Sequence, residues 1–192
     1  DFSHPSVLSS LLSYVHDTNT PAVIATTGFD EKQTEMIKET AKTRPIFFSF
    51  NMTLGINLLA DLLKKATAVL ADSFDIEIIE AHHNQKIDAP SGTAIMLANA
   101  INETLDNKYQ YVYDRHSVRA KRTKNEIGMH AIRGGTIVGE HEIIFAGRDE
   151  VISLKHEAHS KSVFAVGSVN AAVFLENKPA GLYAMSDLLK ES

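Results

Sequence analysis

Two short apolar runs, Ala22-Val23-Ile24-Ala25 and Pro45 to Phe50, alternate with stretches whose apolar residues recur at helical spacing. This alternation restricts the fold more than any other feature of the chain. Val7, Leu8, Leu11, Leu12 and Val15 precede the first run, and a helical pattern from Glu31 to Lys42 separates the two. Leu54, Leu58, Leu59, Leu62, Leu63, Ala66 and Val69 then mark one face of a long helix. Helix, strand, helix, strand, helix is the order of an α/β fold with a parallel sheet covered on both faces, because strands buried on both sides read as continuous apolar runs. Ligands of such sheets lie outside the carboxyl ends of the strands. The rule singles out Ala25, Thr26 and Thr27 after the first strand, and Ser49, Phe50, Asn51 and Met52 after the second. Thr26, Thr27 and Gly28 are equally suited to a plain strand-to-helix turn.

The remainder turns to α+β character. Asp75 to Glu80 alternates acidic and apolar residues, as a strand with one buried face does, and a helix runs from Ser91 to about Leu105. Tyr109 to Tyr113 can form a strand, whereas Asp114 to Lys124 reads as a solvated basic loop. Ile127 to Arg133, Thr136 to Phe145 and Val151 to His156 are β-like and separated by Gly134-Gly135 and by Gly147-Arg148-Asp149. Such turns predict three adjacent antiparallel strands. With the Asp75 strand they form a sheet of at least four strands and one covering helix, so an uncovered face or edge invites another subunit. Ser162 to Leu175 is again helical, stopped by Pro179 and Gly181, and Leu182 to Leu189 predicts a short strand and a helical turn.

Chemistry concentrates in Glu80-Ala-His-His-Asn-Gln-Lys-Ile-Asp-Ala-Pro-Ser-Gly-Thr93. A strand delivers His82 and His83 to its carboxyl edge, and alternation sends the two imidazoles to different sides, hence to different tasks. Lys86 follows within reach of either ring. Ser91 is a hydroxyl cap in front of a helical pattern, so the N–H groups of Gly92 and Thr93 point outward as an anion cradle. Asp88 suits either a partner for one of these cations or a cap for the turn before Pro90. His82 and His83 with Glu80, or with His156 and His159, offer a rival reading as ligands of a metal-dependent hydrolase. Adjacent strand histidines diverge, and no helical His-x-x-x-His pair accompanies them. His4, His16, His116, His130 and His141 carry no motif and read as structural or surface positions.

Composition removes several functions. The 192 residues, 44% of them apolar, suffice for a sizeable core, and no cysteine is present to make a disulfide or a thiolate metal site. A net charge of −5 gives no footprint for nucleic acid or an anionic membrane. With no apolar run near the roughly 20 residues of a membrane span and no signal-like start, a cytoplasmic protein is expected.

The run Glu-Ala-His-His-x-x-Lys-x-Asp-Ala-Pro-Ser-Gly-Thr-Ala resembles the signature of the 4-hydroxy-tetrahydrodipicolinate reductases, the dihydrodipicolinate reductases of lysine biosynthesis. The resemblance implies NADH- or NADPH-dependent reduction of a cyclic dicarboxylate with loss of water. It casts His82 as the acid–base residue, Lys86 as proton donor, and His83, Gly92 and Thr93 as ligands of substrate carboxylates. It gives the nicotinamide cofactor to Ala25, Thr26, Thr27, Ser49, Phe50, Asn51 and Met52, with Ala25 standing where family members carry glycine, and calls for no metal. It implies a Rossmann-like nucleotide-binding portion at residues 1–53 and 161–192, a mixed open sheet for substrate binding and oligomerisation at 54–160, and a homotetramer. The chain opens at Asp1 and contains no glycine-rich dinucleotide fingerprint, so the first part of the nucleotide domain is expected to be missing. A truncated oligomerising module without catalysis is the alternative.

Overall fold

The computed structural model describes residues 1–191 and divides the chain into two compact units, Asp1–Asn57 with Ser162–Ser192, and Leu58–Lys161. In the first unit, β1 (Ala22–Ile24), β2 (Pro45–Phe48) and β8 (Gly181–Tyr183) form a parallel sheet in the order β1-β2-β8, with Ile24 level with Phe48. α1 (Leu8–Thr18) and α2 (Glu31–Ala41) supply Leu8, Leu12, Val15 and Ile37 to a core shared with Ile24 and Ile46. A second core gathers Ala25, Phe47 and Met52 with Ala171 and Leu175 of α5 (Ser162–Leu175) and Met185 and Leu188 of α6 (Met185–Lys190). Helix packing on both faces is what lets such short strands persist, since each buries apolar surface on two sides. α2 starts where the sequence allows. Asp30 accepts the Gln33 N–H while the Gln33 side chain accepts the Asp30 N–H, a reciprocal cap that satisfies two otherwise orphaned donors.

α3 (Leu54–Leu70) carries the chain from the first unit into the second. There β3 (Asp75–His82), β4 (Gln110–Val112), β5 (Glu126–Arg133), β6 (Gly139–Ala146) and β7 (Val151–Ala158) form a mixed sheet in the order β4-β5-β3-β6-β7. α4 (Gly92–Thr104) lies against β3 and buries Ala94, Leu97, Ala98 and Ile101.

This order corrects the expectation of three consecutive antiparallel neighbours. Only β6 and β7 form the hairpin, across Gly147 to Glu150. β5 pairs parallel to β3, and β6 pairs antiparallel to β3's other edge. The physical reason lies in β3 itself. Its fully buried Ile76 and Ile78 and its buried carboxyl end suit a central strand with both edges paired. Gly134-Gly135 is therefore a connection over the end of β3, where Gly134 N–H donates to His82 O and Asn84 N–H to Gly135 O. Five residues between β5 and β6 easily cross the roughly 10 Å between strands two places apart.

α5 packs its Gly167 directly against the backbone of Met52. A Cβ there would stand 1.7 Å from the Met52 carbonyl oxygen, a backbone atom that cannot swing aside. Gly167→Ala is expected to cost about 1–3 kcal/mol through displacement of α5, read as a lowered urea midpoint with an unchanged slope.

Candidate active site

Strand alternation builds the site. Ile76, Ile78, Glu80 and His82 share the helix-covered face of β3, while Asp75 and Glu77 point to the other, where Glu77 meets Arg115, Arg122 and His130. Glu80 is 1% exposed, and its carboxylate is surrounded by donors. Arg133, level with His82 on β5, holds it bidentately, with Nη1 at 2.8 Å from Oε2 and Nη2 at 2.6 Å from Oε1. Ser91 N–H donates to Oε1 at 3.0 Å, and His82 Nδ1 lies 2.6 Å from Oε2. Burial pushes the Glu80 carboxyl upward, but Arg133, His82 and the Ser91 N–H together hold it below the ordinary carboxylate range. Burial lowers the His82 imidazole, and the Glu80 carboxylate only partly offsets this.

The loop after β3 closes on the same cluster. Arg133 Nη2 also donates to Asp88 O at 2.7 Å, tying the loop to β5. Lys86 Nζ lies 2.8 Å from Asp88 Oδ1, and the Gly92 N–H is directed to the Asp88 carboxylate. Asp88 thus partners a cation and caps the turn at once. The Gly92 N–H, expected to point outward unpartnered, has this internal carboxylate as its partner. A Cβ on Gly92 would meet nothing within 4 Å, so the cradle opens onto free space. Ser91 caps α4, accepting from Ala94 N–H at 3.1 Å. Thr93 and His83 are half-buried, and His83 lies just beyond the end of β3.

Sequence reasoning missed two participants. His141 of β6 lies opposite Glu80, its Nε2 2.9 Å from Ser91 Oγ and its ring 5.3 Å from that of His82. No motif surrounds it, and only the strand order brings it here. Arg133 lacks a local signal for the same reason. Gly139, the first residue of β6, makes room for His82: a Cβ there would stand 3.0 Å from His82 Nε2. Among the described residues no group of three His, Cys, Asp or Glu side chains is placed to hold a metal ion. His159, weighed as a ligand, faces Glu157 at 3.7 Å and is exposed.

The cofactor candidates gather separately at the carboxyl ends of β1 and β2. Ala25, Thr26 and Met52 are buried, with Thr26 Oγ1 donating to Asp1 Oδ2 at 2.7 Å. Ser49 Oγ donates to Asn51 O, and Asn51 Oδ1 accepts from both the N–H and the hydroxyl of Thr53. Thr27, Gly28 and Phe50 remain exposed, Phe50 by 60% with its ring edge-on to Phe48. Gly28 takes a φ of +83°, and a Cβ there would meet only Pro5 Cγ, at 3.9 Å.

Fold and site together define an α/β protein in which a buried Glu80–His82 pair lies beside the start of α4. Family models described as dihydrodipicolinate reductase, N-terminus and C-terminus, match residues 1–52 and 55–189. The chain is 52% identical over 189 residues to the 4-hydroxy-tetrahydrodipicolinate reductase of Clostridium tetani, covering 98% of this chain and 74% of that protein. It is 54% identical over 188 residues to the reductase of that name from Exiguobacterium sibiricum, covering 98% and 75%. A solved dipicolinate-bound dihydrodipicolinate reductase from Paenisporosarcina sp. TG-14 superimposes with a TM-score of 0.74 at 24% identity, over 96% of this chain and 70% of that one, and shares the fold. The chain belongs to the dihydrodipicolinate reductase family, and is an oxidoreductase of the lysine pathway that works with a nicotinamide nucleotide.

His141 gives the site a pH signature. Burial first, then the charge of His82, lowers its imidazole from 6.5 to about 4. As pH falls from about 6.5 to about 4 the unfolded chain binds a proton that the folded chain refuses, so stability falls, by on the order of 3 kcal/mol in all. Urea unfolding at pH 7 and pH 4.5 is expected to show a smaller acid loss in His141→Gln than in the wild type.

Proposed function

We propose that His82 is the acid–base residue and Lys86 the proton donor in reduction of 4-hydroxy-tetrahydrodipicolinate, with His83, Gly92 and Thr93 holding the substrate carboxylates. The observation that carries this reading is the convergence of Lys86, the α4 N-terminus and the buried Glu80–His82 pair within one loop closure. A dianionic ring suits that place. Its carboxylates replace Asp88 as partner of the Gly92 N–H and Lys86, using the macrodipole of α4 and charge-assisted hydrogen bonds. His82 assists loss of the 4-hydroxyl as water, leaving a conjugated imine. When bound, NADH or NADPH supplies hydride to C4. The ring is then an electron-rich enamine, and Lys86 Nζ returns one proton to it, so that one water leaves while one hydride and one proton are gained.

Ala25, Thr26, Thr27, Ser49, Phe50, Asn51 and Met52 hold the nicotinamide end, the buried members shaping the two loops and the exposed Thr27 and Phe50 making side-chain contact. In this reading residues 1–53 and 161–192 serve the nucleotide and 54–160 serve substrate and assembly. A homotetramer built through the mixed sheet is supported by β7, an edge strand with Val151 and Ile152 exposed.

Steady-state NAD(P)H oxidation, with substrate made in situ by the preceding synthase, tests the reading. Lys86→Ala and His82→Gln are expected to lower kcat by roughly 10²–10⁴-fold, whereas Gly92→Val fills the open cradle and raises KM with the fold intact. Wild-type kcat in both of the first two variants would overturn these roles.

A further inference from the structure

We infer that Glu80, clamped by Arg133, is a positioning residue for the reaction: it fixes which nitrogen of His82 exchanges protons and sets how readily that nitrogen does so. This rests on the acid–base role proposed for His82.

Glu80 faces three unambiguous donors, two from Arg133 and one from Ser91, beside His82 Nδ1. An acceptor so surrounded is an ionised carboxylate, which can only accept. His82 Nδ1 therefore carries a hydrogen, at 2.6 Å from Oε2, and Nε2 is the nitrogen left for substrate. Gly139 keeps that nitrogen approachable, because a side chain there would press on it.

The charge balance follows from the neighbours. His82 is faced by Glu80 from its own strand, by Lys86 from the loop, by Arg133 from β5 and by His141 from β6, with His156 of β7 beyond. Glu80 favours the imidazolium, while Arg133 and Lys86 oppose it. Arg133 does two things at once. It holds the buried carboxylate ionised, and it adds its charge to burial, the larger cause, and to Lys86 in lowering the His82 imidazole. Without Arg133, the Glu80 carboxylate would raise the imidazole further against the effect of burial.

The same carboxylate aligns the two halves of the site. Through Oε2 it orients His82, and through Oε1 it fixes the Ser91 N–H at the start of the helix that presents Gly92 and Thr93. Arg133 extends the alignment to the loop by its bond to Asp88 O.

The test uses imidazole NMR titration of His82 together with the pH profile of kcat/KM. Glu80→Gln can still accept from Ser91 N–H but loses the charge. It is expected to move the His82 midpoint to lower pH, mix the two ring tautomers and lower kcat by roughly 10²-fold with KM within a few-fold. Arg133→Gln is expected to move the midpoint the opposite way, and the kcat/KM limb should follow in both. Arg133 is half-buried, so it tests the pair independently if Glu80→Gln does not fold. Midpoints that stay at the wild-type value, or move together, overturn the inference even if His82→Gln and Lys86→Ala abolish turnover. Opposite movements alongside full turnover in those two variants would instead remove the acid–base reading, and with it a role for Glu80 in the reaction.

Discussion

A carboxylate withdrawn from water is destabilised by several kcal/mol unless donors replace the lost hydration, and in this chain the buried Glu80 imposes that requirement on everything around it. Its oxygens are satisfied by a guanidinium from β5, an imidazole from its own strand and a backbone N–H from the cap of α4. Each donor reaches it only if β5 lies beside β3 in parallel register and α4 starts directly over the carboxyl end of β3. The strand order and the helix position are thus bound to one buried charge.

Function uses the same device. Aligned strand ends and a helix N-terminus bring together groups of opposite electrostatic preference: a histidine lowered by burial, a lysine, and N–H donors that favour anions. The resting loop partners these donors with its own Asp88 carboxylate, so the place is already shaped for negative charge, as the proposed binding of a dianion requires. In the first unit, loops at adjacent parallel strand ends leave Thr27, Gly28 and Phe50 open while Thr26, Asn51 and Met52 lock the backbone beneath them. Both units thus place the candidate residues at the carboxyl ends of strands, where side chains are held by a rigid sheet but are not consumed by its pairing.

How much of this was legible depended on the range of the interactions. Continuous apolar runs marked β1 and β2, and period-two and period-3.6 patterns marked β3, α2 and α3, because burial is a local property of sequence. The Ser91 cap and the neighbouring His82 and Lys86 were visible for the same reason, all lying in one short segment. The Gly134-Gly135 hairpin was misread: a turn signal reports that the chain bends, but not whether a third strand occupies the gap. Arg133 and His141 escaped notice because their partners are 53 and 50 residues away in sequence.

The sequence by itself therefore determined the α/β alternation, the strand that ends in paired histidines, the helix start beside it and the family to which these residues point. Those are consequences of local periodicity and of one contiguous motif. Only the tertiary structure decided that β3 is central, that Arg133 and His141 flank its end, and that Asp88 is the resting partner of the Gly92 N–H. Strand order and buried charge pairing are settled by long-range packing, because a donor and an acceptor far apart in the chain leave no mark on each other's local sequence.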